Sequence, residues 1–181
     1  RLGEITRSEA VRLFCARAQD VAPSFTLNGE TAAHIAVVCR RLDGIPLAIE
    51  LAAAQLARRP LAAIAGDLDN FPTILAGGNA GAPERHQTLR AVLDWSYCLL
   101  DPPSRVLFRR LSVFAGGCTL PAAEAVCAGI DLPAGEVARL LRGLVTASLV
   151  RSYKWRKHER YRMLEPVRQY ALRWLERGEF S

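Results

Sequence analysis

The sequence predicts a mainly α-helical chain: a small helical bundle, then a second helical unit that closes with a short β-hairpin and one more helix. Three observations predict it. Apolar residues recur at helical spacing through most of the 181 residues. Prolines and glycines cut those stretches into pieces of ordinary helix length. Near the C-terminus the period changes, and "LVRSYKW" and "ERYRML" read as two short strands.

Thr6-Arg7-Ser8-Glu9 has the form of a capping box, with Thr6 capping backbone amides and Glu9 reaching back. The helix that follows runs to about Asp20 and turns Val11, Phe14 and Ala18 inward. Pro23 falls in the break. Asn28 caps a second helix over residues 29–42, with Ala32, Ile35, Val38, Cys39 and Leu42 on its inner face. Asp43-Gly44 is a turn signal. Pro46 suits the first turn of a third helix, where its missing N–H would be unpaired anyway. "PLAIELAAAQLA" is apolar nearly all round, which places that helix at the centre of the bundle. Arg58-Arg59-Pro60 ends it, and a short helix from Leu61 to about Asp67 follows. "AGGNAGAPER" has no periodicity and reads as a flexible linker, residues 76–86, between a domain at 1–75 and one at 87–181.

The second half restarts with a helix from about Gln87 to Leu100, spaced by Leu89, Val92, Leu93, Tyr97 and Leu100. Asp101 caps the next helix, which carries two prolines in its first turn. Gly116-Gly117 is a turn, Pro121 starts a short helix to about Ala128, and "EVARLLRGLVTASL" is another helix. The two strands meet at a basic tip around Arg156-Lys157-His158, and Glu165-Pro166 opens the last helix. Three helices, a hairpin and a helix follow the order of a winged helix. The expected fold class is therefore mainly α, a small helical bundle followed by a winged-helix domain with a short β-hairpin.

Composition narrows the function. Half the residues are hydrophobic and 23% are charged, which fits a globular chain. No apolar run reaches the ~20 residues of a membrane span, so no membrane partner is expected. The N-terminus lacks the apolar core of a secretory signal, and a first residue of Arg leads us to expect a piece of a longer product. Five cysteines, odd in number and without a C-x-x-C pair, point to a reduced, cytoplasmic protein with no disulfide and no metal site. The net charge is +6, and 22 of the 24 basic residues are arginine. That balance permits contact with nucleic acid or phosphate and is equally the mark of a solvated surface. The chain has no G-x-x-x-x-G-K-[ST] loop, no G-x-G-x-x-G and no G-x-S-x-G, and its carboxylates are not paired. No catalytic residue is assigned, and the chain alone is not expected to be an enzyme.

Three long segments in order carry a resemblance: "CRRLDGIPLAIELAAAQLA", "RHQTLRAVLDWSYCLLDPPSRVLFRRLSVFAGGCTLPAAEAVC" and "RYRMLEPVRQYALRWL". Together they resemble the C-terminal part of NB-ARC/STAND-type ATPases, nearest to the bacterial AfsR/LuxR-like regulators. The resemblance spans about residues 8–176. It implies a helical subdomain followed by a winged-helix subdomain, both closing over ADP or ATP bound to an upstream P-loop domain that this chain lacks. It also implies that Gly44, Ile45 and Pro46 approach the adenine. Glycine permits close backbone approach, and proline offers a rigid apolar surface. The same three residues equally suit a plain turn before a proline-started helix. Met163, Leu164 and Glu165 hold the places of the family's Met-His-Asp triplet, whose histidine meets the phosphates. Leu164 replaces that histidine, and leucine neither donates a hydrogen bond nor carries charge. Glu165 is also a candidate to cap the last helix.

The implied mechanism is a switch. ADP holds the two subdomains against the P-loop domain, and exchange for ATP lets them swing about the linker near residues 76–85. Two other classes stay open. One is a stand-alone winged-helix DNA-binding protein. Its contacts would be Arg139 and Arg142 on the helix at the recognition position, with Lys154, Arg156 and Lys157 on the hairpin. The other is a protein-interaction adaptor, for which apolar hairpin strands and the tryptophans Trp95, Trp155 and Trp174 are the pointers. Trp95 and Trp174 are expected in the core and Trp155 near the hairpin tip.

Overall fold

A computed structural model describes residues 7–69 and 84–177. The chain divides into two compact units, residues 1–96 and residues 97–181.

The first unit starts with α1 (Glu9–Val21), whose buried residues are Val11, Phe14 and Ala18. The N-cap is Ser8 rather than Thr6, and the Ser8 side chain makes no cap bond. Glu9 is then the first residue of the helix, too early to reach back to a cap; Thr6 lies outside the described residues. A reciprocal cap is instead built at α2 (Gly29–Arg41). The Asn28 carboxamide accepts from the Thr31 amide at 2.9 Å, and the Thr31 hydroxyl accepts from the Asn28 amide at 2.8 Å. Ala32, Ile35, Val38, Cys39 and Leu42 are all buried, as the helical spacing predicts.

α3 (Pro46–Ala54) continues into a 3-10 turn over Gln55–Ala57. Ala48, Ile49 and Leu51 through Ala54 are buried, so the apolar helix is central. α1 packs against α3 and α2, and α4 (Leu61–Asp69) packs against α2. Each fully buried large side chain here, such as Phe14, Ile35, Ile49 and Leu51, supplies roughly 1.5–3 kcal/mol of apolar transfer free energy.

α5 (Glu84–Cys98) begins earlier than expected. Glu84, Arg85 and His86 fall at the end of the expected linker; none is apolar, and apolar spacing cannot register them. The rest of the linker lies outside the described residues. Most of α5 belongs with the first unit, so the division falls within this helix between Ser96 and Tyr97. The Thr88 hydroxyl donates to the Asp43 carboxylate at 2.7 Å. The Trp95 indole N–H donates to Asp67 at 3.0 Å, and the same carboxylate oxygen pairs with Arg59. The Arg59 guanidinium stands 5.9 Å from the Trp95 ring centre. These bonds hold the Asp67 carboxyl below its usual range, the Arg59 bond acting most strongly.

The second unit is a winged helix. α6 (Pro102–Leu111) is capped by Asp101, which accepts from the Ser104 amide at 3.0 Å. α7 (Leu120–Cys127) is capped by Thr119. α8 (Ala134–Thr146) buries Val137, Leu140, Leu141 and Leu144. β1 (Arg151–Trp155) and β2 (His158–Arg162) form an antiparallel hairpin, and α9 (Glu165–Glu176) packs on α6. Tyr97, at the end of α5, stacks on Trp174 with ring centres 5.1 Å apart and meets Phe108 and Tyr170.

The hairpin is tied to the helices by one short bridge. Cys118 and Tyr161 exchange both backbone hydrogen bonds at 2.8 Å, which places Cys118 as a one-residue third strand beside β2. Three arginines hold the connecting loops by their carbonyls. Arg110 donates to Cys127 O at 2.9 Å and to both oxygens of Asp131. Arg160 donates to Gly117 O at 3.1 Å, and Arg168 donates to Ser112 O at 3.0 Å.

Candidate functional site

The Gly44-Ile45-Pro46 segment follows directly from how α2 ends. The Asp43 amide donates to Arg40 O and the Gly44 amide to Cys39 O, both at 3.1 Å. That pair of bonds is a Schellman motif, which satisfies the last carbonyls of α2. Asp43 and Gly44 both take left-handed backbone, φ +51° and +64°. A non-glycine residue in that region is strained by roughly 1–2 kcal/mol. Asp43 is held there by its bond from Thr88. A Cβ on Gly44 would meet nothing within 4 Å, so nothing in this chain crowds its outer side. Ile45 is the N-cap of α3 in extended backbone, half-buried, and Pro46 is exposed. The result is an apolar Ile-Pro edge on a backbone pinned at both ends.

Leu164 and Glu165 lie in the other unit. Leu164 is the N-cap of α9 and makes no side-chain cap bond, while Met163 before it is buried. Glu165 stands in the first turn, where the helix dipole favours a carboxylate. It does not cap backbone amides. Its oxygens accept from the Arg168 guanidinium at 2.9 and 2.8 Å and from the Gln169 side-chain Nε2 at 2.7 Å. Those bonds, Arg168 first and Gln169 second, hold its carboxyl at about 2. Neither the Leu164 nor the Glu165 side chain offers a donor to a phosphate. This pair of side chains does not fit the anionic part of a nucleotide.

The candidate nucleic-acid contacts fall on two elements of the winged helix. Along α8, Glu136, Arg139, Arg142 and Thr146 form the exposed stripe, the opposite side being core. Arg139 is engaged by Glu136 at 2.8 Å, which lowers its availability to an outside anion. Arg142 is exposed, and its positive charge opposes the rise that burial imposes on the pKa of the Tyr161 phenol.

Lys154, Arg156 and Lys157 are exposed on the hairpin. Arg156 adopts φ +56° at the tip, a conformation that glycine or asparagine takes more readily. The strands are not apolar, contrary to expectation. Every residue of β1 is exposed, and in β2 only Tyr161 is buried. Tyr161 is buried, and its backbone pairs with Cys118. Trp95 is buried, Trp174 is half-buried against Tyr97, and Trp155 is 57% exposed.

Three features carried no legible signal of their own. Thr88 and Asp43 are 45 positions apart in sequence, so their bond cannot be read from spacing. Arg151 and Arg162 face each other across the hairpin, which follows from strand alternation once the register is known. Gly117, φ +80°, reads in the sequence as an ordinary turn residue, yet a Cβ there would stand 2.5 Å from Tyr161 O. Among the described residues there is no group of three or more metal-ligating side chains, and no helix is long and apolar enough to cross a membrane. The five cysteines are free. Burial pushes the Cys39 thiol up to about 12 and the Cys127 thiol up to about 11, so neither is a ready nucleophile.

This arrangement of helices, bridge and hairpin defines a winged helix-turn-helix domain preceded by a helical unit. Residues 100–176 match the family described as the winged helix-turn-helix domain. Among known proteins, the chain is 50% identical over 164 residues to a Mycobacterium tuberculosis H37Rv protein named for an HTH-type transcriptional regulator, covering 91% of this chain and 19% of that protein. A second, uncharacterized protein of the same strain is 44% identical over 176 residues, covering 95% of this chain and 44% of that protein. The regulatory protein AfsR of Streptomyces coelicolor is 35% identical over 139 residues, covering 75% of this chain and 13% of AfsR. The chain thus spans less than half the length of each of these curated relatives.

Proposed function

We propose that this chain is the helical and winged-helix regulatory segment of a larger cytoplasmic transcriptional regulator of the STAND type. Its Gly44-Ile45-Pro46 edge packs against the adenine of ADP or ATP held by an upstream P-loop domain. The observation that carries the reading is the Asp43–Pro46 turn. It spends two left-handed residues and a bond from Thr88 to hold an apolar edge that faces out of its own unit. The bound nucleotide supplies the differential affinity that any such switch requires. This chain's part is to shape the base site and to transmit closure to the winged helix. Leu164 gives no phosphate sensing, so that role falls to groups outside this pair. The chain itself performs no chemistry.

The test uses the intact regulator with its upstream segment. Ile45→Ser should weaken ADP binding about tenfold, equivalent to ~1.4 kcal/mol, with the melting temperature of the nucleotide-free protein little changed. Unchanged ADP affinity, or an upstream segment without a phosphate-binding loop, would refute the reading.

A second reading has its own support. Residues 151–162 carry six arginines and lysines (Arg151, Lys154, Arg156, Lys157, Arg160, Arg162) against the single acid Glu159. Duplex DNA bound through that hairpin, with Arg139 and Arg142 of α8 at the groove, would show sub-micromolar affinity falling steeply with salt. Salt-insensitive or absent binding to labelled duplex would exclude it.

A further inference from the structure

The register of the hairpin sorts its side chains onto two faces. Ser152, Lys154, Glu159 and the buried Tyr161 share one. The other carries Arg151 opposite Arg162, Tyr153 opposite Arg160, and Trp155 opposite His158. On that second face Tyr153 is 37% and Trp155 57% exposed. Arg151, His158 and Arg162 are exposed with them, and Arg160 is half-buried on its bond to Gly117. Two aromatic rings therefore stand one above the other along β1, bordered by guanidinium groups from both strands.

Two residues of strand advance the chain about 6.6–6.8 Å. That is about twice the 3.4 Å rise per nucleotide of a stacked duplex strand. Bases resting on both rings must be unstacked from one another and drawn out along the strand. A single strand reaches that arrangement without breaking pairs, and a duplex does not. Every base has a π-face, so stacking of this kind tolerates any sequence. The flanking arginines match the phosphate charge, and Glu159 points to the opposite face.

We propose that the Tyr153/Trp155 face of the hairpin is a binding platform for single-stranded nucleic acid, with successive bases stacked on the two rings and the backbone held by Arg151 and Arg162. The platform does not depend on the nucleotide reading above, since it uses no residue of the first unit and needs no ADP.

The experiment titrates the 181-residue chain, without nucleotide, into labelled single-stranded oligonucleotides of about 10 nucleotides. The same sequence as a duplex and anionic phosphatidylserine vesicles run alongside. Expected results are tighter binding to the single strand than to the duplex, and little dependence on base sequence. Trp155→Ala and Tyr153→Ala should each weaken single-strand binding about tenfold, whereas Trp155→Phe should restore most of it. Both positions are exposed, so the unfolding transition serves as the control for folding. Equal or tighter duplex binding, single-strand binding indifferent to both ring removals, binding to vesicles alone, or no binding would each overturn the proposal.

Discussion

Gly117 and Gly44 make a matched pair, because both take positive φ, at +80° and +64°, but only one has a wall beside it. A Cβ on Gly44 meets nothing within 4 Å. Gly44→Ala should then cost only the left-handed penalty, roughly 1–2 kcal/mol. A Cβ on Gly117 would stand 2.5 Å from Tyr161 O and 3.2 Å from Arg162 Cβ. Tyr161 O is the acceptor of the 2.8 Å bond from the Cys118 amide, half of the bridge that joins the hairpin to the helices. Relief requires that the bridge open. Leaving its buried groups poorly paired adds about 1–3 kcal/mol to the left-handed penalty. Gly117→Ala should therefore cost about 2–5 kcal/mol. For a winged-helix unit of this size that corresponds to a fall in melting temperature of roughly 8–40 °C, at about 4–8 °C per kcal/mol. Urea unfolding and calorimetry of both variants, compared with wild type, measure the difference. Equal costs for the two glycines would refute the reasoning, because the left-handed backbone alone would then explain both.

Two further outcomes follow from the second unit. The Glu165 carboxyl, held at about 2 in the folded chain against an ordinary 4.5, contributes stability that is present above about pH 4.5 and is lost as pH falls toward 2. Glu165→Gln should flatten the stability profile across that window and leave its shape unchanged above it; an unaltered acid limb would show that the Arg168 and Gln169 bonds do not persist in solution. Phe108 is fully buried, with ring centres 5.9 Å from Tyr97 and 6.3 Å from Tyr170. Phe108→Ala should cost about 3–5 kcal/mol in denaturant unfolding, and a loss under 1 kcal/mol would mean that this aromatic cluster collapses around the gap.

Most helices were legible because each has a local signature. Asn28 and Asp101 cap where their side chains can accept from an amide three residues on, and Pro46 and Pro102 stand where an N–H is not needed. The failures were also local in cause. Glu84 to His86 went unread because apolar spacing is silent about polar first turns. The apolar reading of the hairpin fails because the apolar ends of the two segments, Leu149, Val150, Met163 and Leu164, fall outside β1 and β2, and every residue of β1 is exposed.

By itself the sequence determined the order of elements, the buried stripes of α1, α2 and α8, and the winged-helix topology, because caps, breaks and apolar periods act within a few residues of themselves. Only the tertiary structure decided the rest. The division falls inside α5 because bonds from Thr88 to Asp43 and from Trp95 to Asp67 join residues far apart in the chain. Gly117 is obligatory because Tyr161 O passes beside it, and Arg110, Arg160 and Arg168 serve as loop ties because particular carbonyls lie within reach. Such contacts depend on where folding brings distant segments together, and no spacing along the chain encodes that.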